Sequence, residues 1–254
     1  MTCRVPVDEN LARGPYIGSM VNSPIPPRMI PPRILPKDAL RLYVFDLDGT
    51  LIDSRADLVQ SVNATLRHFQ RHELPDDIVA SYIGDGAGML IQRAFGDPKD
   101  TSLIDAALRY FLDHYREHKL DNTYVYDGVI PVLEALRNRQ LNTALAVLSN
   151  KPAGPSRAIC DALGLAPHFF RVYGGDSFAT KKPDPFGLET LIREAGVTPA
   201  ETVMIGDSDV DILTAQNCGA YSIGCSYGLS PHTLEMVPPD ALAHHPADLL
   251  ALLR

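Results

Sequence analysis

The stretch Leu42-Tyr43-Val44-Phe45-Asp46-Leu47-Asp48-Gly49-Thr50-Leu51-Ile52-Asp53-Ser54 decides how the rest of the chain is read. Four apolar, β-prone residues end abruptly in carboxylates, a glycine and hydroxyls, the pattern of a buried strand opening into a loop that carries chemistry. Alternate residues of an extended chain project to the same side, so Asp46 and Asp48 share one small volume while Leu47 points away. Two carboxylates that close repel, and both stay ionised only beside a cation; otherwise one keeps its proton. Taken alone, the plainer reading is an acidic turn at a strand end, since Asp and Gly are common turn formers.

Before this stretch the chain has a different character. Residues 1–38 crowd Pro24, Pro26, Pro27, Pro31, Pro32 and Pro36 into a mixture without helical or strand periodicity, which predicts an irregular or disordered arm. Met20 and Met29 leave a later natural start open. After it, Asp53 or Ser54 is placed to cap a helix with Leu58, Val62, Leu66 and Phe69 on one face. Helical patterns continue over Asp76 to Ile83, Ala87 to Phe95 and Ser102 to His118, the last with Leu103, Ala107, Phe111 and Tyr115 aligned. Residues 56–123 are therefore expected to form a helical cap domain inserted after the first strand, with the core built from 39–55 and 124–254.

From Tyr126 the rhythm becomes helix and short apolar strand in alternation, with strands at Thr143 to Leu148, Phe170 to Tyr173, Thr202 to Ile205 and Ala220 to Gly224. This is a βαβ pattern, hence an α/β fold with a Rossmann-like, doubly wound parallel sheet covered on both faces. Ligands of such sheets bind beyond the carboxyl ends of the strands. Behind the second core strand stands Ser149-Asn150-Lys151-Pro152. The third leads to Lys181-Lys182-Pro183-Asp184-Pro185, where flanking prolines restrict the backbone. The fourth ends in Gly206-Asp207-Ser208-Asp209-Val210-Asp211, so Asp207 occupies the strand-end position that Asp46 occupies in the first. Singly, these are a Ser/Asn turn, a solvated lysine pair and a helix cap. Together they supply oxygen ligands for Mg²⁺, a fixed cation, a hydroxyl donor and a carboxylate free to attack, the needs of phosphoryl transfer.

Composition bounds the reading from the other side. With 254 residues, 45% hydrophobic and 21% charged, the chain is long enough for a sizeable core of an ordinary globular protein. A net charge of −8 argues against a nucleic-acid partner or an anionic membrane surface. Cys3, Cys160, Cys218 and Cys225 lack CxxC spacing, so neither a zinc site nor a disulfide framework is expected, and a cytoplasmic protein is. No apolar run approaches the roughly 18 residues of a membrane span. The pattern does not speak to oligomeric state.

The four segments resemble the motifs of the haloacid dehalogenase superfamily: Asp46-Leu47-Asp48-Gly49-Thr50, Ser149, Lys182 in its KKPDP run, and Gly206 to Asp211. Within it the sequence looks most like the bacterial phosphoglycolate phosphatases, from about residue 42 to the C-terminus, including Tyr82 to Ala87 and Ser149 to Pro152. Asp127 departs from that pattern, where relatives usually have proline. The resemblance implies a Mg²⁺-dependent phosphomonoesterase working through an aspartyl phosphate. Asp46 would be the nucleophile and Asp48 the acid and base, while Ser149 and Lys182 would hold the phosphoryl oxygens. Mg²⁺ would sit on the Asp46 side chain, the Asp48 backbone carbonyl and Asp207, with Asp211 behind them. Thr50, Asn150 and Gly84 join Ser149 and Lys182 as candidate substrate contacts.

The expected substrate is a small phosphorylated metabolite, first 2-phosphoglycolate. Its carboxylate needs a donor that the sequence does not reveal, so pyrophosphate and sugar or amino-sugar phosphates stay open. Dehalogenases and phosphonatases of the superfamily lack an Asp48. The cap residues of a phosphomutase are not evident in Ser54-Arg55-Ala56-Asp57, and a non-catalytic scaffold has no need of nucleophile and lysine together.

Overall fold

Strand β1 (Leu42–Phe45) is buried at every residue, and its side chains divide between two cores. Tyr43 and Phe45 enter one apolar cluster while Leu42 and Val44 enter another, as the period of two requires of a strand covered on both faces. The structure, a computed structural model, describes residues 31–139 and 143–253. Residues 1–30, most of the proline-rich arm, lie outside that set.

β1 runs parallel to β4 (Ala144–Leu148) on one side and to β6 (Thr202–Gly206) on the other. With β5 (Arg171–Tyr173), β7 (Tyr221–Cys225) and β8 (Ala241–Ala243), the sheet order is β5-β4-β1-β6-β7-β8, parallel throughout. Helices α5 (Val129–Arg137), α6 (Ala153–Ala162) and α9 (Asp248–Leu253) contribute to the Tyr43/Phe45 core, and α7 (Phe186–Ala195) and α8 (Asp209–Cys218) to the Leu42/Val44 core. This is the doubly wound α/β sheet expected from the alternating pattern. β8, a three-residue edge strand, was not anticipated.

Between β1 and α5 the chain makes a short antiparallel pair, β2 (Ile52–Asp53) with β3 (Tyr124–Val125), and the segment between them is helical. Helices α1 (Arg55–His68), α2 (Asp76–Ala80), α3 (Ala87–Ala94) and α4 (Thr101–His118) enclose their own apolar cluster, with Leu58, Val62, Leu66, Ile91, Ala107 and Phe111 inside. Asp100 caps α4, its Oδ1 accepting the backbone N–H of Ser102 at 3.0 Å and of Leu103 at 3.2 Å. The buried stripe of α4 starts at Ile104 rather than Leu103. Helix α2 stops at Ala80, three residues short of the expected end, because the chain turns toward Gly84, which holds a φ of 126°.

The outgoing and returning ends of the insertion are fastened together by Asp57 in the first turn of α1. Its fully buried carboxylate accepts the backbone N–H of Asn122 at 2.9 Å and of Thr123 at 2.9 Å, and the Thr123 hydroxyl at 2.6 Å. At the other end of the described chain, Arg33 pairs with Asp240 at 2.8 Å and lies over the Tyr221 ring, anchoring the last residues of the arm on the sheet edge.

Candidate active site

Four adjacent strands, β5, β4, β1 and β6, bring their carboxyl ends to one place. Asp46 is still tied to the sheet, its N–H donating to the Ile205 carbonyl at 2.8 Å, so its carboxylate is held at the strand end. Three residues on, Gly49 has a φ of +79°, and a Cβ there would lie 2.2 Å from Asp207 Oδ2. Only glycine lets the loop turn so tightly against the Asp207 carboxylate. Asp207 Oδ2 in turn accepts the N–H groups of Leu229 at 2.7 Å and Ser230 at 3.0 Å, which fixes the side chain.

Lys182 reaches in from the loop after β5. Its ammonium lies 2.9 Å from Asp46 Oδ1 and 2.5 Å from Asp211 Oδ1, and all three side chains are buried. Asp211 is fully engaged, since its Oδ2 also accepts the Ser208 hydroxyl at 2.8 Å and backbone N–H at 3.2 Å. Burial pushes the Asp46 carboxyl up to about 6, opposed by Lys182 and reinforced by Asp211 and Asp48. Burial also raises Asp207 well above the ordinary range, with Asp211 and Asp46 adding to it. For Lys182 burial works against the charge, but Asp211 and Asp46 more than offset it and the pKa rises, so the group stays an ammonium.

Asp46, Asp207 and Asp211 offer carboxylate oxygens that lie within 4.8 Å of one another. Three buried carboxylates facing a single ammonium leave an excess of negative charge, and their donors are all hard oxygens. That set fits a divalent cation of the Mg²⁺ kind. Because both Asp211 oxygens are already bonded, Asp46 and Asp207 are the two side chains best placed to ligate.

Asp48 is held by a different set of partners. Ser54 donates its hydroxyl to Asp48 Oδ1 at 2.5 Å instead of capping α1, and Lys151 lies 2.8 Å and 2.9 Å from the two carboxylate oxygens. Asp46, Asp48, Ser149, Asn150 and Asp207 line one cavity, which the helical insertion closes with Leu58, Ile83, Gly84, Leu90, Phe111, Leu112 and Tyr115. Asn150 bridges the two sides, donating from Nδ2 to the carbonyls of Gly84 and Lys182, each at 3.1 Å. Thr50 is buried away from the cavity lining; its carbonyl accepts the Tyr227 hydroxyl at 3.0 Å.

Comparison with known proteins agrees with this geometry. Residues 43–225 match the family model described as haloacid dehalogenase-like hydrolase. The chain belongs to this family. Among its relatives, a phosphoglycolate phosphatase of Rhodospirillum rubrum is 39% identical over 197 residues, covering 75% of this chain and 81% of that protein. One of Chromobacterium violaceum is 36% identical, covering 74% and 86%. Of solved structures, a protein of Haemophilus somnus described as a predicted phosphoglycolate phosphatase superposes with a TM-score of 0.79 at 30% identity, over 85% of this chain and 99% of that one. The protein is thus a haloacid dehalogenase-like enzyme of the phosphatase type.

Two polar residues of this family member's cavity, Lys151 and Tyr115, are not assigned from the sequence. Lys151 follows the serine and asparagine that draw attention in its run, and Tyr115 falls on the apolar face of a helix. The one available signal was Lys151 itself, a lysine two residues behind a strand-end serine. Nothing in the sequence says that it meets Asp48. Among the described residues no helix is long and apolar enough to cross a membrane.

Proposed function

We propose that the protein hydrolyses small phosphomonoesters through a covalent phospho-Asp46, with 2-phosphoglycolate as substrate and Mg²⁺ as cofactor. The observation that carries this reading is the placing of two carboxylates two residues apart in one cavity, with the Asp46 carboxylate held by the Lys182 ammonium at 2.9 Å. An Asp46 oxygen attacks phosphorus as the bond from phosphorus to the glycolate oxygen breaks, and Asp48, protonated at this stage, gives its proton to the leaving alkoxide. A water then attacks the same phosphorus and passes a proton to Asp48, while the bond from phosphorus to Asp46 breaks. Phosphate leaves and both carboxyl groups are back in their starting states.

Lys182 and the Ser149 hydroxyl hold the equatorial phosphoryl oxygens, where charge develops in the transition state. The Asp46 carboxylate, the Asp48 backbone carbonyl and Asp207 would hold Mg²⁺, which would supply further positive charge there. Leu58, Leu90, Phe111 and Leu112 keep bulk water from the phosphoaspartate and leave room for a small leaving group only. The relatives named phosphoglycolate phosphatase support the choice of substrate. A reducing cytoplasm suits Cys160, Cys218 and Cys225, all free thiols.

Phosphate release from 2-phosphoglycolate, measured with and without Mg²⁺ beside pyrophosphate, sugar phosphates and nucleotides, tests the reading. It predicts that 2-phosphoglycolate leads the panel in kcat/KM. Leadership by another compound would keep the chemistry and refute the substrate, and no turnover of any compound with Mg²⁺ would refute the mechanism.

A further inference from the structure

We propose that Lys151 and Tyr115 form the subsite that binds the substrate's carboxylate, an inference that rests on the substrate reading above. A carboxylate entering the cavity meets an apolar wall of Leu58, Leu90, Phe111 and Leu112, against which an unpaired charge is strongly disfavoured. Lys151 is the sole cation among the described residues that line this cavity. Its side chain is 6% exposed, and its Nζ lies 4.6 Å from the centre of the Tyr115 ring. The Tyr115 hydroxyl is buried in the same wall beside the Lys151 ammonium, and its O–H finds no acceptor among the described residues, an unusual state for a buried polar group unless a ligand completes it. Burial pushes that hydroxyl up to about 12, so it remains a donor at neutral pH.

Position along the substrate supports the same assignment. Asp48 has to reach the ester oxygen, and in 2-phosphoglycolate the carboxylate is one methylene away from that oxygen. Lys151 is one hydrogen bond away from Asp48, at 2.8 Å and 2.9 Å. An ammonium has three N–H donors, so Lys151 has one to spare after satisfying both Asp48 oxygens. A bound carboxylate shares the ammonium and draws it from Asp48, which frees that carboxyl to turn toward the ester oxygen. Recognition of the carboxylate and release of Asp48 are thereby one event. A phosphate ester without the second charge leaves Asp48 held by Lys151 and Ser54.

The test compares 2-phosphoglycolate with 2-hydroxyethyl phosphate, which replaces the carboxylate by a hydroxymethyl group, in the Mg²⁺-supplemented full-length protein and in Lys151→Gln, Lys151→Arg and Tyr115→Phe. For 2-phosphoglycolate, Lys151→Gln lowers kcat/KM about 100-fold, mainly through KM, and Tyr115→Phe about 10-fold, as expected for lost hydrogen bonds to a charged group. On 2-hydroxyethyl phosphate Lys151→Gln brings no comparable loss, because it also frees Asp48, so the ratio of the two kcat/KM values falls at least about 10-fold in each variant, and Lys151→Arg recovers part of the preference. Equal losses on the two substrates would show that Lys151 serves Asp48 alone and would overturn the proposal, as would a variant that keeps the wild-type preference. A wild-type enzyme with no preference for the carboxylated ester would refute the substrate reading itself, which is a different result. Tyr115→Phe preserves the packing of α4, so it decides the matter if Lys151→Gln does not fold.

Discussion

Lys182 Nζ lies 2.9 Å from Asp46 Oδ1, inside the protein, at the point where β1 leaves the sheet. The contact orients the carboxylate and partly offsets the burial that would otherwise protonate it. In the proposed role of nucleophile, Asp46 needs its charge, which the Lys182 ammonium favours and burial opposes. Asp46→Asn keeps the shape and removes the attacking oxygen. We expect it to lower kcat by at least about 1000-fold, the scale seen when a covalent nucleophile is lost. Phosphate release under saturating substrate and Mg²⁺ checks this, and the variant should unfold no earlier in urea than the wild type, because a buried negative charge has gone.

The ammonium is shared. Asp211 takes it at 2.5 Å on the other side, so removing Lys182 leaves two buried carboxylates without their cation. Lys182→Met should destabilise the metal-free protein by about 3–5 kcal/mol, the cost typical of breaking a buried ion pair from one side. Adding Asp211→Asn should return part of that stability without restoring turnover. A double-mutant cycle in urea gives the coupling directly, and additivity of the two substitutions would contradict it.

The carboxylates also set a pH dependence. Asp46 is pushed up to about 6 by burial, against 3.8 for the ordinary side chain, and Asp207 moves in the same direction. The native state therefore holds protons that the unfolded chain releases. Their contribution to the metal-free protein is fully present below about 4 and is lost as pH rises through about 6. A cation that needs ionised ligands works in the opposite sense. Mg²⁺ should raise the Tm little near pH 5 and clearly more near pH 7.5, and Asp207→Asn should abolish the rise. Thermal unfolding at the two pH values, with Mg²⁺ and with chelator, measures it; a Mg²⁺ effect that is the same at both would rule out these ligands.

The sheet was legible because its strands are short apolar runs separated by helices, and the candidate site was legible because Asp46, Ser149 and Asp207 each stand directly behind a strand, with Asp48 two residues beyond Asp46. Distance along the chain hid the rest. Ser54 looks like a helix cap, the usual role for serine before a helix, but its hydroxyl serves Asp48. Tyr115 falls on the buried stripe of α4 at helical spacing, so nothing separates it from the core residues Ala107 and Phe111 until Lys151 is seen over its ring. β2 and β3 have two residues each, too few for any period to show.

Asp57 shows the same limit and yields the last prediction. In sequence it is an acid in the first turn of a helix, where the helix dipole alone explains it. In the fold its carboxylate collects the N–H groups of Asn122 and Thr123, the Asn122 side-chain amide and the Thr123 hydroxyl, all from the segment just before β3. Asp57→Ala strands several donors at a buried site and should cost about 2–4 kcal/mol, more than a surface helix acid is worth. Asp57→Asn keeps the size but turns one acceptor into a donor, so its cost should fall between. Urea unfolding ranks the three proteins. Hydrogen exchange adds the location: if Asp57 is the clamp, the amides of α1 and α4 lose protection in Asp57→Ala while those of β1 and β6 keep theirs, because the clamp holds the two crossings of the insertion and not the sheet. Uniform loss of protection would mean that the carboxylate supports the whole fold instead.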